Sequence, residues 1–134
     1  MADKPIIMVV EDHPELGEQL RELLEQQGFE VHLASDGRSA KNIISKVKPN
    51  LICTDLVLSE GSGYEVCDYV RASSELGSTP ILMMTGKSLP TDRAFAEEAG
   101  ANVVMIKPFD TKEFLRNARE LLGRNVIVGK PEGL

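Results

Sequence analysis

The chain has 134 residues, and 42% of them are apolar, which is enough for one hydrophobic core but leaves no room for a second folded domain. Its formal net charge is −6 and it contains no block of lysine and arginine, so binding to nucleic acid or to an anionic membrane surface is not expected. The N-terminus is polar, and the apolar stretch after it is too short for a signal peptide or a spanning helix. We therefore expect a cytoplasmic protein whose partners are other proteins and cations.

Strand and helix patterns alternate along the first half of the chain. Ile6–Val10 is a continuous apolar run, and the helix after it is predicted to begin at Pro14, because proline suits a first helical position, and to end at Gly28. The buried stripe of this helix is formed by leucines at helical spacing: Leu16, Leu20, Leu23 and Leu24. A weaker strand follows at 31–34, and Pro49 ends the next helix. The apolar residues of that helix are Ala40, Ile43, Ile44 and Val47.

The same alternation continues in the second half of the chain. Apolar runs at 51–54, 81–84 and Val103–Ile106 predict three further strands. A helix between the first two of these strands carries Val66, Cys67 and Val70 on its apolar face. The helix after the fourth strand is predicted to begin at Pro90 and to stop at Gly100, and its apolar residues are Phe95, Ala96 and Ala99.

The last helix has the clearest start signal in the sequence. Asp110 is the predicted N-cap, and Glu113 stands at the third helical position, as in a capping box. Phe109 is placed to pack against Phe114 as a hydrophobic staple. The buried stripe is predicted to run up to Gly123, where the helix ends, through Leu115, Ala118, Leu121 and Leu122.

Five strands alternating with five helices predict an α/β fold with a doubly wound parallel sheet. Because most of the strands are apolar throughout, both faces of the sheet should be covered by helices, with right-handed crossovers. At this chain length the strand order 2-1-3-4-5 of flavodoxin-like folds is favoured. We expect one domain at 1–123 and a short C-terminal tail at 124–134.

The cysteines and histidines do not form a metal-binding pattern. Cys53 and Cys67 have neither a CxxC spacing nor a nearby histidine, so buried free thiols are expected instead of a zinc or redox site. His13 adjoins an acidic pair, but we interpret it as a solvated loop residue. His32 is assigned no role.

Four of the five predicted strands are followed directly by a residue able to carry chemistry. The carboxyl ends of parallel strands lie along one edge of the sheet, where open α/β folds place their ligands. The residues that should converge there are Glu11 and Asp12 after the first strand, Asp55 after the third, Thr85 after the fourth and Lys107 after the fifth.

Three acids in one pocket require neutralisation by a cation or by protons, since two carboxylates about 4 Å apart repel by roughly 4 kcal/mol at an effective dielectric constant of 20. Mg²⁺ suits such a site, because it takes one or two carboxylates, a carbonyl, waters and a phosphate oxygen. Lys107 and Thr85 would then stabilise a phosphoryl group, and Asp55 is the predicted nucleophile, since carboxylates form aspartyl-phosphates.

Each of these residues has a simpler interpretation when it is taken alone. Asp12 lies just before Pro14 and could be only a helix cap. Thr85 could be a strand-end hydroxyl, and Lys107 a surface lysine that packs its stem on apolar neighbours. Their joint spacing favours a shared site over these separate roles.

Glu11-Asp12, Asp55, Thr85 and Lys107-Pro108-Phe109 resemble the signature of the receiver domain of two-component response regulators, over about residues 5 to 123. The resemblance implies that Asp55 is the phosphoacceptor and that Mg²⁺ is held by the acidic residues and by the backbone carbonyl of Val57. It also implies that Thr85 and Lys107 contact the phosphoryl group. The protein ligands of Mg²⁺ are then Glu11, Asp12, Asp55 and Val57. Finally, the resemblance implies a cis peptide bond before Pro108.

The sequence departs from the family pattern at several positions. The switch position three residues before the lysine, usually aromatic, is Val104. Thr85-Gly86 after the fourth strand resembles a receiver subgroup that lacks this aromatic, which implies signalling through mobility of the loop and helix that follow. Ser59 replaces a usual proline in a loop that contains Gly61 and Gly63, and two glycines predict a loosely ordered loop. In the family, the positions of Val57 and Lys87 tune the lifetime of the acyl phosphate.

Taken together, the residues and the resemblance predict a stand-alone, single-domain response regulator. It would accept a phosphoryl group on Asp55 from a sensor histidine kinase or a histidine phosphotransfer protein, with Mg²⁺ as cofactor. It would not be an enzyme beyond catalysing its own phosphorylation and dephosphorylation. The signal would leave through an unknown protein target that binds the surface around 87–99 and 102–122, a family expectation.

Two other classes of function stay open on the sequence. The departures at Val104, Ser59 and Val57 are compatible with a receiver-like scaffold that works without phosphorylation. The same architecture also serves small-ligand proteins, such as a flavin-binding protein or a Mg²⁺-dependent phosphatase. The acidic residues after the first strand count against flavin, because they would repel its phosphate.

Overall fold

The computed structural model describes the backbone of residues 4–86 and 90–128 and the side chains of 4–86 and 93–123. Within these ranges strands and helices alternate, as the sequence predicts. The strands are β1 (Ile6–Val10), β2 (Glu30–Ala34), β3 (Leu51–Asp55), β4 (Ile81–Thr85) and β5 (Val103–Ile106). The helices are α1 (Pro14–Gln26), α2 (Gly37–Val47), α3 (Gly63–Ala72), α4 (Pro90–Ala99) and α5 (Thr111–Val128).

The five strands form one parallel sheet in the order β2-β1-β3-β4-β5, which confirms the predicted doubly wound topology. β1 lies between β2 and β3, because the chain adds β2 on one side of β1 and then adds β3, β4 and β5 on the other side. In the register of β1 and β3, Val10 pairs with Thr54. The residues that follow these two positions, Glu11 and Asp55, therefore emerge side by side at the carboxyl edge of the sheet.

Apolar side chains cover both faces of the sheet. On one face, residues of β1, β3 and β4 pack against α1 and α5, and the largest fully buried side chain there is Phe114. On the other face, alternate residues of the same strands pack against α2, α3 and α4. Cys53 and Cys67 are buried free thiols in different clusters, as predicted, and burial raises the pKa of Cys67 to about 11.

The final helix begins where the sequence predicts but ends later. The Asp110 carboxylate accepts a hydrogen bond from the backbone N–H of Lys112 at 3.1 Å, and the rings of Phe109 and Phe114 stack with centroids 5.5 Å apart. The helix then continues through Gly123 to Val128, so the predicted end at Gly123 is wrong. A glycine inside a helix costs only about 1 kcal/mol relative to alanine, which does not stop a helix by itself. Residues 129–134 of the predicted tail lie outside the described residues.

The loop between β3 and α3 makes contacts that its two glycines did not predict. Val57 and Ser62 form an antiparallel bridge, which closes the loop on itself. The loop is also tied to α2, because the backbone N–H of Gly37 donates to the carbonyl of Glu60 at 3.1 Å, and Leu58 is buried. These bonds hold the chain that leaves the acceptor strand in a fixed path.

Candidate functional site

Three carboxylates meet where β1 and β3 end, as the sequence predicts. Glu11 and Asp55 are buried, with 2% and 7% of their surfaces exposed, and Asp12 is half-buried. One oxygen from each of the three carboxylates lies within 4.8 Å of the other two. Such a dense cluster of acids in a partly buried position requires a positive charge nearby.

Lys107 supplies that charge in this structure. Its Nζ donates a hydrogen bond to Glu11 Oε1 at 2.7 Å and to Asp55 Oδ2 at 2.9 Å. The side chain of Lys107 is 22% exposed, and those of Glu11 and Asp55 are 0% and 10% exposed. Lys107 is therefore part of the acidic cluster. It is not the surface lysine that its sequence position, taken alone, would allow.

Burial and pairing shift the pKa values of the ion pair. Burial raises the pKa of Glu11, and the hydrogen bonds that Glu11 accepts from Lys107 and from the backbone of His13 lower it only in part. Burial lowers the pKa of Lys107, but its hydrogen bonds to Glu11 and Asp55 more than offset this, so the pKa of Lys107 is raised. The lysine stays cationic at neutral pH and holds the two carboxylates together.

Alkaline pH should weaken the fold through Lys107. Because the pKa of Lys107 is raised in the folded state, its stabilisation is fully present below the ordinary value of 10.5 and is lost as the pH rises through the higher folded-state value. The free energy of unfolding in urea should therefore differ between the wild type and Lys107→Met, and this difference should become smaller as the pH rises through this range. A difference that stays constant with pH would contradict the ion pair, since other alkaline titrations cancel in the comparison.

The remaining predicted site residues lie around this cluster. Thr85 is buried at the end of β4, next to the position where Met84 pairs with Asp55. The backbone N–H of Lys107 donates to the carbonyl of Thr85 at 2.7 Å, which joins the ends of β4 and β5. The Lys107–Pro108 peptide bond is cis, as the resemblance implies.

The positions that depart from the family pattern have different surroundings. Val57 is 56% exposed and lines the mouth of the acidic cleft, so its apolar side chain faces whatever enters. Val104 is half-buried against the core on the α2–α4 side of the sheet, in the place where the family usually has an aromatic ring. Lys87, which the sequence analysis paired with Val57, lies outside the described residues.

The cleft above the carboxylates is open and has a volume of about 600 Å³. Its lining consists of Glu11, Asp12, His13, Leu16, Asp55, Val57, Gly86 and Lys107.

His13 is the N-cap residue of α1 and makes no side-chain capping bond, so the interpretation of Asp12 as the helix cap is not supported. Instead, the backbone N–H of His13 donates to Glu11 Oε2 at 3.1 Å and orients that carboxylate.

Gly63 has a steric role that its spacing from Asp55 did not reveal. A Cβ atom at Gly63 would lie 2.5 Å from the backbone oxygen of Asp55, a distance that real contacts do not reach. The backbone N–H of Gly63 also donates to the carbonyl of Leu56 at 2.9 Å. Only glycine therefore allows the start of α3 to pack directly against the backbone of the acceptor strand.

An apolar groove beside the cleft was not predicted. It has a volume of about 730 Å³ and lies between α1 and the segment that joins β5 to α5. Its lining is Leu16, Gln19, Leu20, Leu23, Lys107, Pro108, Phe109 and Thr111. Sequence reasoning assigned the leucines to the core, although Leu16 and Leu23 are only half-buried and so leave apolar surface facing outward. The groove and the acidic cleft share Leu16 and Lys107.

Among the residues that the structure describes, no helix combines the length and the apolar composition needed to cross a bilayer.

Comparison with known proteins gives consistent matches. A family model described as the response regulator receiver domain matches residues 7–119. Among curated proteins, the DNA-binding response regulator MtrA of Mycolicibacterium smegmatis is 36% identical over 119 residues, which cover 89% of this chain and 51% of MtrA. The chain thus spans about half the length of the curated relatives it matches.

Solved structures agree with this assignment. The non-phosphorylated HemR receiver domain from Leptospira biflexa superposes with a TM-score of 0.81 at 32% identity, over 89% of this chain and 94% of that one. The receiver domain of the sensor histidine kinase PA1611 from Pseudomonas aeruginosa PAO1, solved with a magnesium ion coordinated in its active site cleft, gives a TM-score of 0.82 at 28% identity, over 90% of this chain and 99% of that one. With its parallel sheet in the order 2-1-3-4-5 and its acidic cluster bonded to Lys107, the chain belongs to the response regulator receiver domain family.

Proposed function

We propose that this chain is a phosphorylation-driven signalling switch in which Asp55 accepts a phosphoryl group from a phosphohistidine donor, with Mg²⁺ as cofactor. The observation that carries the proposal is the amine of Lys107, which bonds to two carboxylates that end neighbouring strands. This arrangement holds a fixed positive charge at the place where a phosphoryl group on Asp55 would need it.

The donor atoms present fit a magnesium ion. Three carboxylates offer oxygens within 4.8 Å of one another, and Mg²⁺ prefers hard oxygen ligands in an octahedron that keeps room for water and phosphate. We propose Glu11, Asp12, Asp55 and the backbone carbonyl of Val57 as the protein ligands. When bound, the ion would neutralise part of the negative charge that gathers during phosphoryl transfer.

The proposed reaction is transfer of one phosphoryl group. An Asp55 oxygen attacks phosphorus, the N–P bond of the phosphohistidine breaks, and its electron pair returns to the imidazole nitrogen, leaving an acyl phosphate. Lys107 exchanges its bond to the Asp55 carboxylate for one to a phosphoryl oxygen, and the hydroxyl of Thr85 donates a second bond. Water later hydrolyses the acyl phosphate, so the chain acts as a phosphoacceptor that catalyses only its own modification.

Intact-protein mass spectrometry after incubation with acetyl phosphate tests this function. We expect a gain of one phosphoryl group per chain that depends on Mg²⁺. Repeated turnover of a small phosphoester would indicate a phosphatase instead. If neither acetyl phosphate nor a purified histidine kinase gives a gain, the scaffold that works without phosphorylation becomes the better description.

We further propose that a protein donor, a sensor histidine kinase or a histidine phosphotransfer protein, docks in the apolar groove along α1. The groove shares Leu16 and Lys107 with the acidic cleft, so a donor bound in the groove lies next to Asp55. Leu23, half-buried on the groove wall, offers apolar area to such a partner, and burying apolar area contributes about 25 cal/mol per Å².

Changing the groove should therefore slow transfer from a protein donor without affecting a small one. Gln19 is an exposed groove residue, so Gln19→Arg places a charge in the docking surface with little effect on the core. We expect at least about a tenfold loss in transfer rate from a histidine kinase, equal to about 1.4 kcal/mol of binding or transition-state energy. The rate with acetyl phosphate should stay unchanged, and an equal loss with both donors would contradict docking at this groove.

For output we propose that the chain works as a single-domain regulator and binds a protein partner through α4, β5 and α5. Phe95 and Ile106 are exposed there, at 60% and 37%, and offer apolar contacts. MtrA is named as DNA-binding, but the match covers only 51% of it, and a net charge of −6 supports a protein target over DNA. A shift of duplex DNA mobility at low salt by the phosphorylated chain would contradict this part of the proposal.

A further inference from the structure

Arg71, on the last turn of α3, joins three parts of the chain at the end of the sheet opposite the acidic cleft. Its Nη1 donates to the carbonyls of Gly77 at 3.0 Å and Thr79 at 2.6 Å, which precede β4. Its Nη2 donates to the carbonyl of Gly100 at 2.6 Å and to Asn102 Oδ1 at 3.0 Å, which lie between α4 and β5. One planar guanidinium thus binds four oxygens from two separate turns.

The structure around Gly100 is shaped to admit this side chain. Gly100 has a φ of +121°, and a Cβ atom there would lie 2.7 Å from Arg71 Nε. Asn102 extends the connection, because its Oδ1 also accepts from the backbone N–H of Ile81 at 2.8 Å. Arg71 therefore fixes the C-terminal end of α4 to the beginnings of β4 and β5.

Few of the side chains that the structure describes in α4 are buried. Of its side chains that the structure describes, at 93–99, only Ala96 is fully buried, with 1% exposed, and Ala99 is partly buried. The others are exposed: Arg93, Ala94, Phe95, Glu97 and Glu98. One long hydrogen bond, from Arg93 Nη2 to the carbonyl of Val104 at 3.4 Å, connects this part of α4 to β5. A helix with so few buried contacts belongs to the segments that open locally before the whole fold unfolds.

We propose that α4 and the turn after it form a separately opening unit, and that Arg71 is the positioning residue that keeps this unit closed. The turn after α4 is also held by buried Ala101 and by the backbone N–H of Asn102, which donates to the carbonyl of Ile81 at 2.8 Å. The four bonds of Arg71, however, come from a charged donor and are each about twice as strong as a neutral bond. The anchored C-terminal end of α4 lies at the end of the sheet opposite the cleft. When the helix opens, it therefore turns about Gly100. This inference does not depend on phosphorylation of Asp55.

Hydrogen exchange of the full chain, followed by mass spectrometry of peptides, tests the proposal. In Arg71→Ala, amides at 94–101 should exchange about tenfold faster or more, while those of Pro14–Gln26 and Gly37–Val47 stay unchanged. Arg71→Lys should restore little of the protection, because one ammonium cannot reach four oxygens held in a guanidinium geometry. Arg21→Ala is the matched control, since the guanidinium of Arg21 is exposed and binds Glu18 on its own helix.

A milder variant separates local opening from general loss of stability. Asn102→Ala removes one of the four acceptors of Arg71 and also the acceptor of the Ile81 N–H, so exchange should be faster at 94–101, by less than in Arg71→Ala, and faster at Ile81. Faster exchange at 94–101 in both variants, with α1 and α2 unchanged, supports the anchor. Equal acceleration in α1, α2 and α4, or no acceleration at 94–101, would overturn it.

Discussion

Asp55→Asn is expected to abolish phosphoryl acceptance from both a histidine kinase and acetyl phosphate. The amide has nearly the same shape as the carboxylate but is a poor nucleophile and carries no negative charge for a cation. Asp55 is buried at the end of β3, where an asparagine can occupy the same space. We therefore expect a folded variant with the circular dichroism spectrum of the wild type and no incorporation of labelled phosphate.

Asp68→Asn is the matched control for this prediction. Asp68 is an exposed aspartate on α3, outside the acidic cluster, so its replacement should leave acceptance unchanged. Incorporation of phosphate into Asp55→Asn at the wild-type rate would show that another residue is the acceptor. Loss of acceptance in both variants would point to a general effect of removing negative charge.

Lys107→Ala is expected to cause the largest loss of stability among the site variants. It leaves Glu11 and Asp55 buried next to each other without the amine that joins them. We expect the free energy of unfolding at neutral pH without Mg²⁺ to fall by about 3 kcal/mol, the lower end of the range for stranding a buried charge. Because the pKa of Glu11 is already raised by burial and should rise further in the variant, this loss should shrink as the pH falls and Glu11 becomes protonated.

The same variant separates binding of the cation from transmission of the signal. Mg²⁺ should still bind, as calorimetric titration would measure, because the carboxylates remain and the competing amine is gone; the bound ion should restore much of the lost stability. Phosphorylation of the wild type should change hydrogen exchange in the α4–β5–α5 region, whereas phosphorylation of Lys107→Ala should not. Lys112→Ala, an exposed lysine on α5, should behave as the wild type in each assay. Unchanged stability in Lys107→Ala would contradict the ion pair as the element that holds the cluster together.

The sequence predicted the sheet and its site because the relevant rule is local. Each buried strand is a short apolar run, and the residue that follows it is placed at the sheet edge by the parallel topology alone. The convergence of Glu11, Asp55 and Lys107 could therefore be predicted without knowledge of any tertiary contact. β2 gave a weaker pattern because it is an edge strand, and its residues from Glu30 to Leu33 are exposed or only half-buried.

Other features depend on contacts between distant residues and could not be predicted. The β3–α3 loop is held by a bond from Gly37 to Glu60, and Arg71 is held by backbone carbonyls, which every residue type offers. The end of α5 was predicted too early because a glycine near the end of a stripe is a weak stop signal without a left-handed turn. The groove along α1 arises where a helix face meets the segment after Lys107, a contact that no single pattern encodes.

Reductive trapping of the acyl phosphate would identify the phosphoacceptor residue directly. The wild type would be incubated with acetyl phosphate and Mg²⁺, treated with borohydride, digested and sequenced by mass spectrometry. An acyl phosphate is reduced to the alcohol, whereas a free carboxylate is not, so we expect homoserine at position 55 and an unchanged aspartate at that position when Mg²⁺ is omitted. Homoserine at another aspartate, or a phosphoryl group that survives borohydride on a different residue, would contradict the assignment of Asp55 as the acceptor.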